Sequence, residues 1–279
     1  MAAGDARLRG GFSYVRDFSS TTNIHDDGTP APESAADRVG LRCRRVSENG
    51  AGASQELGEG GHGGCLTIRR MALLHRAELH PTKLELLAAW LPGRLWYQGH
   101  PGADIVRMAA CRFDDPAGAV GIETMLVEAG DGVIHQVPLT YRAAPMDGGD
   151  GWLIGTTDHS VLGQRWVYDA CGDPVYIAAL ARAILAGTGQ AEEFFEVDGR
   201  LERREPAMTV TGSGHYADLP VIGSVRRVVE EDPTLIVMDA LELGIVRCLN
   251  GGAALPGPTL AGTWSGQSTP VPLAYASVR

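Results

Sequence analysis

Lysine is almost absent from this chain, because Lys83 is the only lysine among 24 basic residues. Lysine is a common point-charge ligand for nucleotide phosphates, so its scarcity argues against an ordinary nucleotide-binding enzyme. The sequence also lacks a run of about 18 apolar residues and a basic segment followed by an apolar leader. We therefore expect no membrane span and no signal peptide, and we predict a cytoplasmic protein.

Cysteine pairs with the spacing of a metal site or a redox motif are missing as well. The five cysteines are odd in number, widely spaced and include no C-x-x-C pair, which argues against a disulfide framework or a zinc ribbon. We expect buried free thiols. These residues are Cys43, Cys65, Cys111, Cys171 and Cys248.

No complete catalytic motif occurs. The chain has no G-x-S-x-G, no H-E-x-x-H and no acidic calcium loop, so we predict neither a cofactor nor a metal. Asp158-His159-Ser160 contains the residue types of a hydrolase triad, but consecutive side chains cannot adopt the triad geometry. Residues 212–217 fit G-x-G-x-x-A, although Pro220 interrupts the helix that a dinucleotide site needs, which favours an ordinary turn.

The net negative charge of the chain lies in one part of it. The formal net charge is -10, and residues 1–70 hold nine arginines and nine acidic residues, so the excess lies after residue 70. A folded region with this excess of negative charge repels the phosphate backbone of nucleic acids and anionic lipid. We predict no nucleic-acid partner and no membrane partner.

Three regions differ in composition. Residues 1–70 hold 12 of the 37 glycines and show no helical or strand period, which predicts a disordered tail or a misassigned N-terminal extension with Met71 as the true start. We expect a first folded region at 71–190 and a β-rich C-terminal region at 191–279.

Local signals predict an α+β fold: an antiparallel β-sheet cap with two main helices, followed by a second small β-rich region. A capping box, Thr82 with Glu85, begins the first helix, and Asp173-Pro174 begins the second. Apolar and polar residues alternate along residues 133–142, so one face of this strand is apolar and the other polar. This pattern predicts a half-buried antiparallel sheet. Further strands are expected at 105–113, 120–128, 152–156, 208–211, 224–230, 235–238, 241–249, 260–264 and 271–276.

Polar and aromatic residues are dense just before the second helix, in residues 163–173. Amides exposed at a helix start can receive an anion or a sugar hydroxyl, so this segment is the candidate ligand-binding site. The alternative is structural, with aromatic core anchors, an Arg165–Asp169 pair and an N-cap at Asp173. The candidate residues are Arg165, Trp166, Tyr168, Asp169 and Asp173.

Several separated motifs resemble the N-terminal cap of bacterial maltokinases. They are residues 87–99 (LAAWLPGRLWYQG), 135–142 (HQVPLTYR), Leu153–Gly155, Trp166–Asp169 and Asp173-Pro174, in the same order. In that family the cap precedes a kinase core that phosphorylates maltose with ATP. The resemblance implies a cap, and it covers residues 71–190.

The catalytic residues that the family would bring are missing. Residues 239–252 resemble the lysine-bearing strand of the kinase core, but Gly244 stands at the lysine position. No H-x-D catalytic loop or D-F-E segment follows, so no catalytic residue is carried over.

The leading hypothesis is therefore a non-catalytic, cap-like protein of α-glucan, maltose or trehalose metabolism. It would bind a saccharide or an α-glucan-metabolising enzyme. One alternative is a sugar kinase-like or other α-glucan-metabolising enzyme, either divergent or completed by a separate catalytic subunit. In such a kinase Arg247 could replace the lysine as phosphate ligand. Another is a structural protein–protein interaction module that offers a sheet edge to a partner.

Overall fold

The computed structural model describes residues 11–15, 71–100, 102–130, 132–197, 200–250 and 255–279. Apart from Gly11–Val15, the predicted tail of residues 1–70 lies outside the described residues, as do Cys43 and Cys65. The described residues fall within one compact unit. The division predicted at residue 190 remains a prediction.

The described part of the chain contains sixteen strands, two α-helices and three short 3₁₀ turns. The helices are α1 (Lys83–Trp90) and α2 (Pro174–Ala186). The strands are β1 (Gly11–Val15), β2 (Met71–Ala77), β3 (Leu79–His80), β4 (Val106–Phe113), β5 (Gly121–Glu128), β6 (Ile134–Arg142), β7 (Leu153–His159), β8 (Gly163–Asp169), β9 (Glu192–Val197), β10 (Arg200–Arg204), β11 (Met208–Gly212), β12 (Arg227–Val229), β13 (Thr234–Val237), β14 (Leu241–Ile245), β15 (Thr259–Trp264) and β16 (Gln267–Val278).

These strands form three sheets. The central sheet has the order β3-β7-β8-β6-β5-β4 and is antiparallel throughout. The C-terminal sheet has the order β11-β15-β16-β14-β13-β12 and is also antiparallel. A small sheet, β1-β2-β9-β10, contains the parallel pair of β2 with β9.

The predicted α+β class with two main helices is wrong, because the described residues are mostly antiparallel β-sheet. Both helices are short: α1 has 8 residues and α2 has 13. The C-terminal region is not small either, since its sheet has six strands. Strand pairs far apart in sequence, which leave no local signal, account for this difference.

Both helices begin where the capping signals predict. The Thr82 hydroxyl accepts from the Glu85 amide, and the Glu85 carboxylate accepts from the Thr82 amide, so the capping box is formed. Asp173 caps α2, Pro174 follows at the first helical position, and Gly187 ends the helix with a φ of 63°. Glycine adopts this left-handed conformation without steric cost.

Two apolar cores cover the two faces of the central sheet. On one face, Leu87 and Leu91 pack with Trp96 against alternate residues of β5, β6 and β8. On the other face, α2 lies between β4, β5 and the C-terminal sheet, with Ile177, Ile184 and their neighbours fully buried. The prediction of a half-buried sheet is therefore wrong for β6, whose second face is also covered by protein.

A backbone seam joins the central sheet to the C-terminal sheet. The C-terminal half of β6 pairs with β8, while its N-terminal half faces residues 247–249. The Gln136 amide donates to the Arg247 carbonyl at 2.7 Å, and the Leu249 amide donates to the Ile134 carbonyl at 2.9 Å. The cap-like strands and the C-terminal strands thus share hydrogen-bonded backbone.

No helix in the described ranges is long and apolar enough to cross a membrane. Cys111, Cys171 and Cys248 are free and buried, which confirms the prediction for these three thiols.

Candidate functional site

The five residues of the predicted ligand-binding site lie on one strand and the helix that follows it. Arg165, Trp166, Tyr168 and Asp169 belong to β8, and Asp173 is the N-cap of α2. Because side chains alternate along a strand, Arg165 and Asp169 point to one face of the sheet and Trp166 and Tyr168 to the other. The structure therefore does not bring the five side chains together.

Asp173 is fully buried, and both of its carboxylate oxygens accept hydrogen bonds within the protein. One carboxylate oxygen accepts from the Val175 amide at 2.9 Å, which caps α2. Both oxygens also accept from the Arg142 guanidinium, each at 2.8 Å. This bidentate pair raises the pKa of Arg142 above its ordinary value. Asp173 thus fixes the helix start against β6.

Asp169 is paired with Arg247, and both side chains are inside the protein. The Arg247 guanidinium donates to the Asp169 carboxylate at 2.7 Å, with side-chain exposures of 0% and 1%. Burial disfavours the charged guanidinium, but the neighbouring carboxylate outweighs burial and raises the pKa of Arg247. The alternative pairing of Asp169 with Arg165 is therefore not the one that forms.

The surroundings of Arg247 complete an enclosed polar cluster. Its Nε donates to the Thr234 hydroxyl at 2.8 Å, and its guanidinium lies 4.6 Å from the centre of the Trp96 ring. The second Asp169 oxygen accepts from the Cys171 amide at 3.1 Å. Arg247 consequently connects the central sheet to the C-terminal sheet. Its guanidinium is buried and does not contact solvent, where a phosphate would bind.

The remaining candidates differ in exposure. Tyr168 is buried, and its hydroxyl accepts from the Met146 amide at 2.8 Å. Arg165 and Trp166 are partly exposed on opposite faces of β8. Of the five predicted residues, only these two present side-chain surface to a ligand.

One shallow groove lies near the start of α2. It has a volume of about 280 Å³ and lies between the turn after β4 and the outer face of α2. Its lining residues are Asp115, Pro116, Pro174, Val175, Ala178, Ala179 and Arg182. None of the five predicted residues lines it. No group of His, Cys, Asp and Glu side chains suited to a metal occurs within the described residues.

Sequence reasoning missed a buried ionic cluster under α1. The chain's single lysine, Lys83, pairs with Glu123, which also accepts from the Tyr141 hydroxyl at 2.7 Å and from Arg112 at 3.3 Å. Burial lowers the pKa of Lys83 to about 8, despite the opposite effect of Glu123. Burial opposes ionisation of Glu123, but Arg112 and Lys83 outweigh it and hold its pKa well below the usual range. The cluster therefore pairs the lysine inside the protein, away from any solvent ligand.

The segment from Trp90 to Asp173 contains the Trp96 anchor, strands β4 to β8 and the cap of α2. Residues 90–173 match the family model of the maltokinase N-terminal cap domain. No curated protein matches the chain. The matched segment supplies most of the central sheet, and it confirms the resemblance inferred from the separated motifs.

Gly244 lies outside the cap-domain match, on the strand that resembles the lysine-bearing strand of the kinase core. It pairs with Tyr275 of β16 across the C-terminal sheet. A Cβ atom added at Gly244 would overlap the Tyr275 ring. The position at which that resemblance would place a phosphate-binding lysine is therefore covered by an aromatic side chain.

The G-x-G-x-x-A stretch, also beyond the cap-domain match, has a structural role. A Cβ atom at Gly212 or Gly214 would overlap backbone atoms at the C-terminal end of α2. The Gly214 amide donates to the Ile184 carbonyl at 2.9 Å, and the Tyr216 amide donates to the Leu185 carbonyl at 2.9 Å. The glycines permit this close approach, which satisfies helix carbonyls that would otherwise lack donors.

Proposed function

We propose that this chain is a non-catalytic, maltokinase-cap-like protein of α-glucan, maltose or trehalose metabolism that acts by binding. The observation that carries the proposal is the contact of Gly244 with Tyr275, beside a segment that matches the cap domain. A kinase of this type needs a cation at that strand position to hold nucleotide phosphate. Here the position has no side chain, and the Tyr275 ring occupies the space that one would need.

The state of the other cations supports the same proposal. Lys83 is buried under α1 with Glu123, and Arg247 is buried with Asp169. Arg247 cannot approach a triphosphate without leaving Asp169 buried and unpaired, which is strongly unfavourable. Moving Lys83 out would bring a buried cation away from the carboxylate that accepts from it. This argues against the alternative in which Arg247 replaces the lysine.

The choice between a saccharide and a partner enzyme rests on the surface of β8. Arg165 and Trp166 are the only members of the predicted site with exposed surface, and they lie on opposite faces of the strand. Ligand sites of this kind usually enclose their ligand in a concave pocket, whereas the groove beside α2 is small and is lined by none of the five predicted residues. We therefore favour docking on a partner enzyme of α-glucan metabolism over saccharide binding.

The first test is a kinase assay on the purified full chain with maltose, ATP and magnesium. We expect no maltose 1-phosphate above a no-protein control. Measurable maltose 1-phosphate above that control would overturn the proposal, and its loss in a folded Arg247→Met variant would favour the alternative in which Arg247 binds the phosphate.

The second test separates the two kinds of ligand. Maltooligosaccharides are titrated into the full chain while tryptophan fluorescence is followed, with Trp166→Phe and Trp264→Phe as matched variants. We expect no saturable change in any of them. A saturable change lost only in the Trp166→Phe variant would establish the saccharide site on β8 and contradict docking as the main role.

A further inference from the structure

Helix α1 is attached to the central sheet by two buried side chains of opposite character. Of its eight residues, all of which are described, only Lys83 and Leu87 are buried. Leu87 packs with Leu91 and Trp96 in the apolar core, whereas the Lys83 side chain reaches Glu123 of β5. Lysine is rarely buried, because removing its charge from water is unfavourable. The attachment of α1 therefore includes a charged group whose burial is unfavourable.

Glu123 does not depend on Lys83 for a charged partner. One of its oxygens accepts from Arg112 at 3.3 Å, and the other accepts from the Tyr141 hydroxyl at 2.7 Å as well as from Lys83. If Lys83 loses its proton or moves into solvent, Glu123 keeps the guanidinium and the hydroxyl as donors. The structure therefore tolerates both changes at Lys83.

The groups that face Lys83 disfavour its positive charge. Burial is the main cause of its low pKa of about 8, and the positive charges of Arg112 and Arg107 on β4 lower the pKa further, against the opposite effect of Glu123. Burial also raises the pKa of the Tyr141 phenol well above its ordinary value. Among these five groups, only Lys83 changes its charge between about pH 7 and about pH 9.

The segment that contains α1 is short and lies at the edge of the central sheet. Strand β3, just before the helix, has two residues and ends the sheet next to β7. The Thr157 hydroxyl of β7 donates to the Pro81 carbonyl at 2.7 Å, and Leu86 lies over Gly155 of the same strand. A helix of eight residues is not stable by itself in water. Short edge segments of this kind open locally more readily than the strands inside a sheet.

We propose that residues 79–90, the α1 segment, form a pH-sensitive cover of the central sheet that opens while Lys83 is protonated and is held closed when Lys83 loses its proton. In the open state Lys83 is in water and binds its proton more tightly than in the closed state, so protonation favours opening. Opening removes Leu87 from the apolar core and uncovers part of the face formed by β5 and β6.

The expected size of the effect follows from proton linkage. As the pH rises above about 8, Lys83 in the closed state becomes neutral and its burial is no longer unfavourable. The equilibrium constant for opening should therefore fall about tenfold between about pH 7 and about pH 9. The open state is thus most populated at and below neutral pH.

The chain's single lysine makes this opening measurable by proteolysis. A lysine-specific endoproteinase can cleave the full chain only after Lys83, and cleavage requires the surrounding residues to leave the folded structure. The cleavage rate is measured from about pH 7 to about pH 9 and divided by the rate for a free peptide with the sequence of residues 77–89, which corrects for the protease. We expect this ratio to fall about tenfold. A ratio that stays constant or rises would overturn the proposal.

Urea distinguishes opening of the α1 segment from global unfolding. Local opening exposes little surface, so the cleavage rate should rise much less steeply with urea than the global unfolding equilibrium does. If the two urea dependences coincide, the α1 segment does not open separately and the proposal is overturned.

Hydrogen exchange of the α1 amides, corrected for the intrinsic rate at each pH, tests the role of Lys83 directly. In the wild type their protection should increase about tenfold from about pH 7 to about pH 9, and in Lys83→Met it should not change with pH. Arg226→Met removes a positive charge at the exposed surface and is the matched control, which should keep the wild-type pH dependence. The proposal is overturned if Lys83→Met keeps that dependence as well.

Discussion

Arg247 and Asp169 form a fully buried ion pair that links the C-terminal sheet to the end of β8, with 2.7 Å between guanidinium and carboxylate. The two residues are separated by 78 positions in the sequence. We predict that Arg247→Met destabilises the protein by about 3–5 kcal/mol, because it leaves the Asp169 charge buried without a partner. Urea unfolding followed by tryptophan fluorescence measures this loss.

The double variant of Arg247→Met with Asp169→Leu should lose less stability than the sum of the two single variants. Arg226→Met provides the control, because Arg226 makes a contact of similar length with Asp239 at the exposed surface, and its loss should scarcely shift the midpoint. If the loss of unfolding free energy in the double variant equals the sum of the two single losses, the buried pair is energetically uncoupled, contrary to the prediction.

Steric exclusion at Gly244 gives a second prediction. Gly244→Ala should cost about 1–3 kcal/mol, because the new methyl group overlaps the Tyr275 ring in a packed position. Combining it with Tyr275→Ala should remove most of that added cost. Gly93→Ala is the matched control, since a Cβ atom there meets no atom within 4 Å. Thermal unfolding compares the four variants, and equal losses at Gly93 and Gly244 would contradict a covered position.

The buried lysine predicts a dependence of stability on pH. The pKa of Lys83 is about 8 in the folded protein and 10.5 in its ordinary state, so the unfolded chain binds more protons between these values. Stability therefore rises as the pH increases from about 8 towards 10.5, by on the order of 3 kcal/mol from this residue.

Urea midpoints at successive pH values, compared between the wild type and Lys83→Met, isolate this contribution. The comparison is needed because burial raises the pKa of Cys111 and Cys171, and raised thiol pKa values make stability fall over the same range. If the difference in urea midpoint between the wild type and Lys83→Met stays constant from pH 7 to about 10, the lowered pKa of Lys83 is contradicted.

The side-chain amide of Gln190, which donates to the Met208 carbonyl and accepts from the Val210 amide, gives a prediction about the local stability of the β11 edge. Gln190→Ala removes both hydrogen bonds to the β11 edge and should cost about 1–2 kcal/mol. Hydrogen exchange at the Val210 amide should accelerate about tenfold, because its acceptor is lost. Gln164→Ala, at an exposed position of β8, is the control and should leave Val210 exchange unchanged.

Local signals predicted much of the secondary structure. The extent of α2 follows from Asp173, Pro174 and Gly187, and the expected strand at 105–113 corresponds to β4 at Val106–Phe113. These elements depend on short-range capping and alternation, which the sequence displays directly. The fold class was still wrong, because strand pairs such as β2 with β9 and β14 with β16 join distant segments.

The candidate site was harder to predict because β8 lacks a clear hydrophobic period. Gln164, Arg165 and Trp166 gave its first half the composition of a polar loop, although the segment is a strand that pairs on both sides. The partners of its acidic residues could not be foreseen either. Asp169 pairs with Arg247 and Asp173 with Arg142, and nothing local distinguishes these arginines from the rest.

The shared hydrogen bonds between β6 and residues 247–249 restrict how this protein can move. Domain closure in enzymes requires two rigid bodies that meet at a few hinge residues. Here the two sheets are joined by paired backbone and by a desolvated ion pair, so rotation of one against the other would break both at once. The cap strands are consequently fixed to the C-terminal sheet, and within the described residues we expect binding of another molecule to shift surface side chains and loops rather than to rotate the sheets.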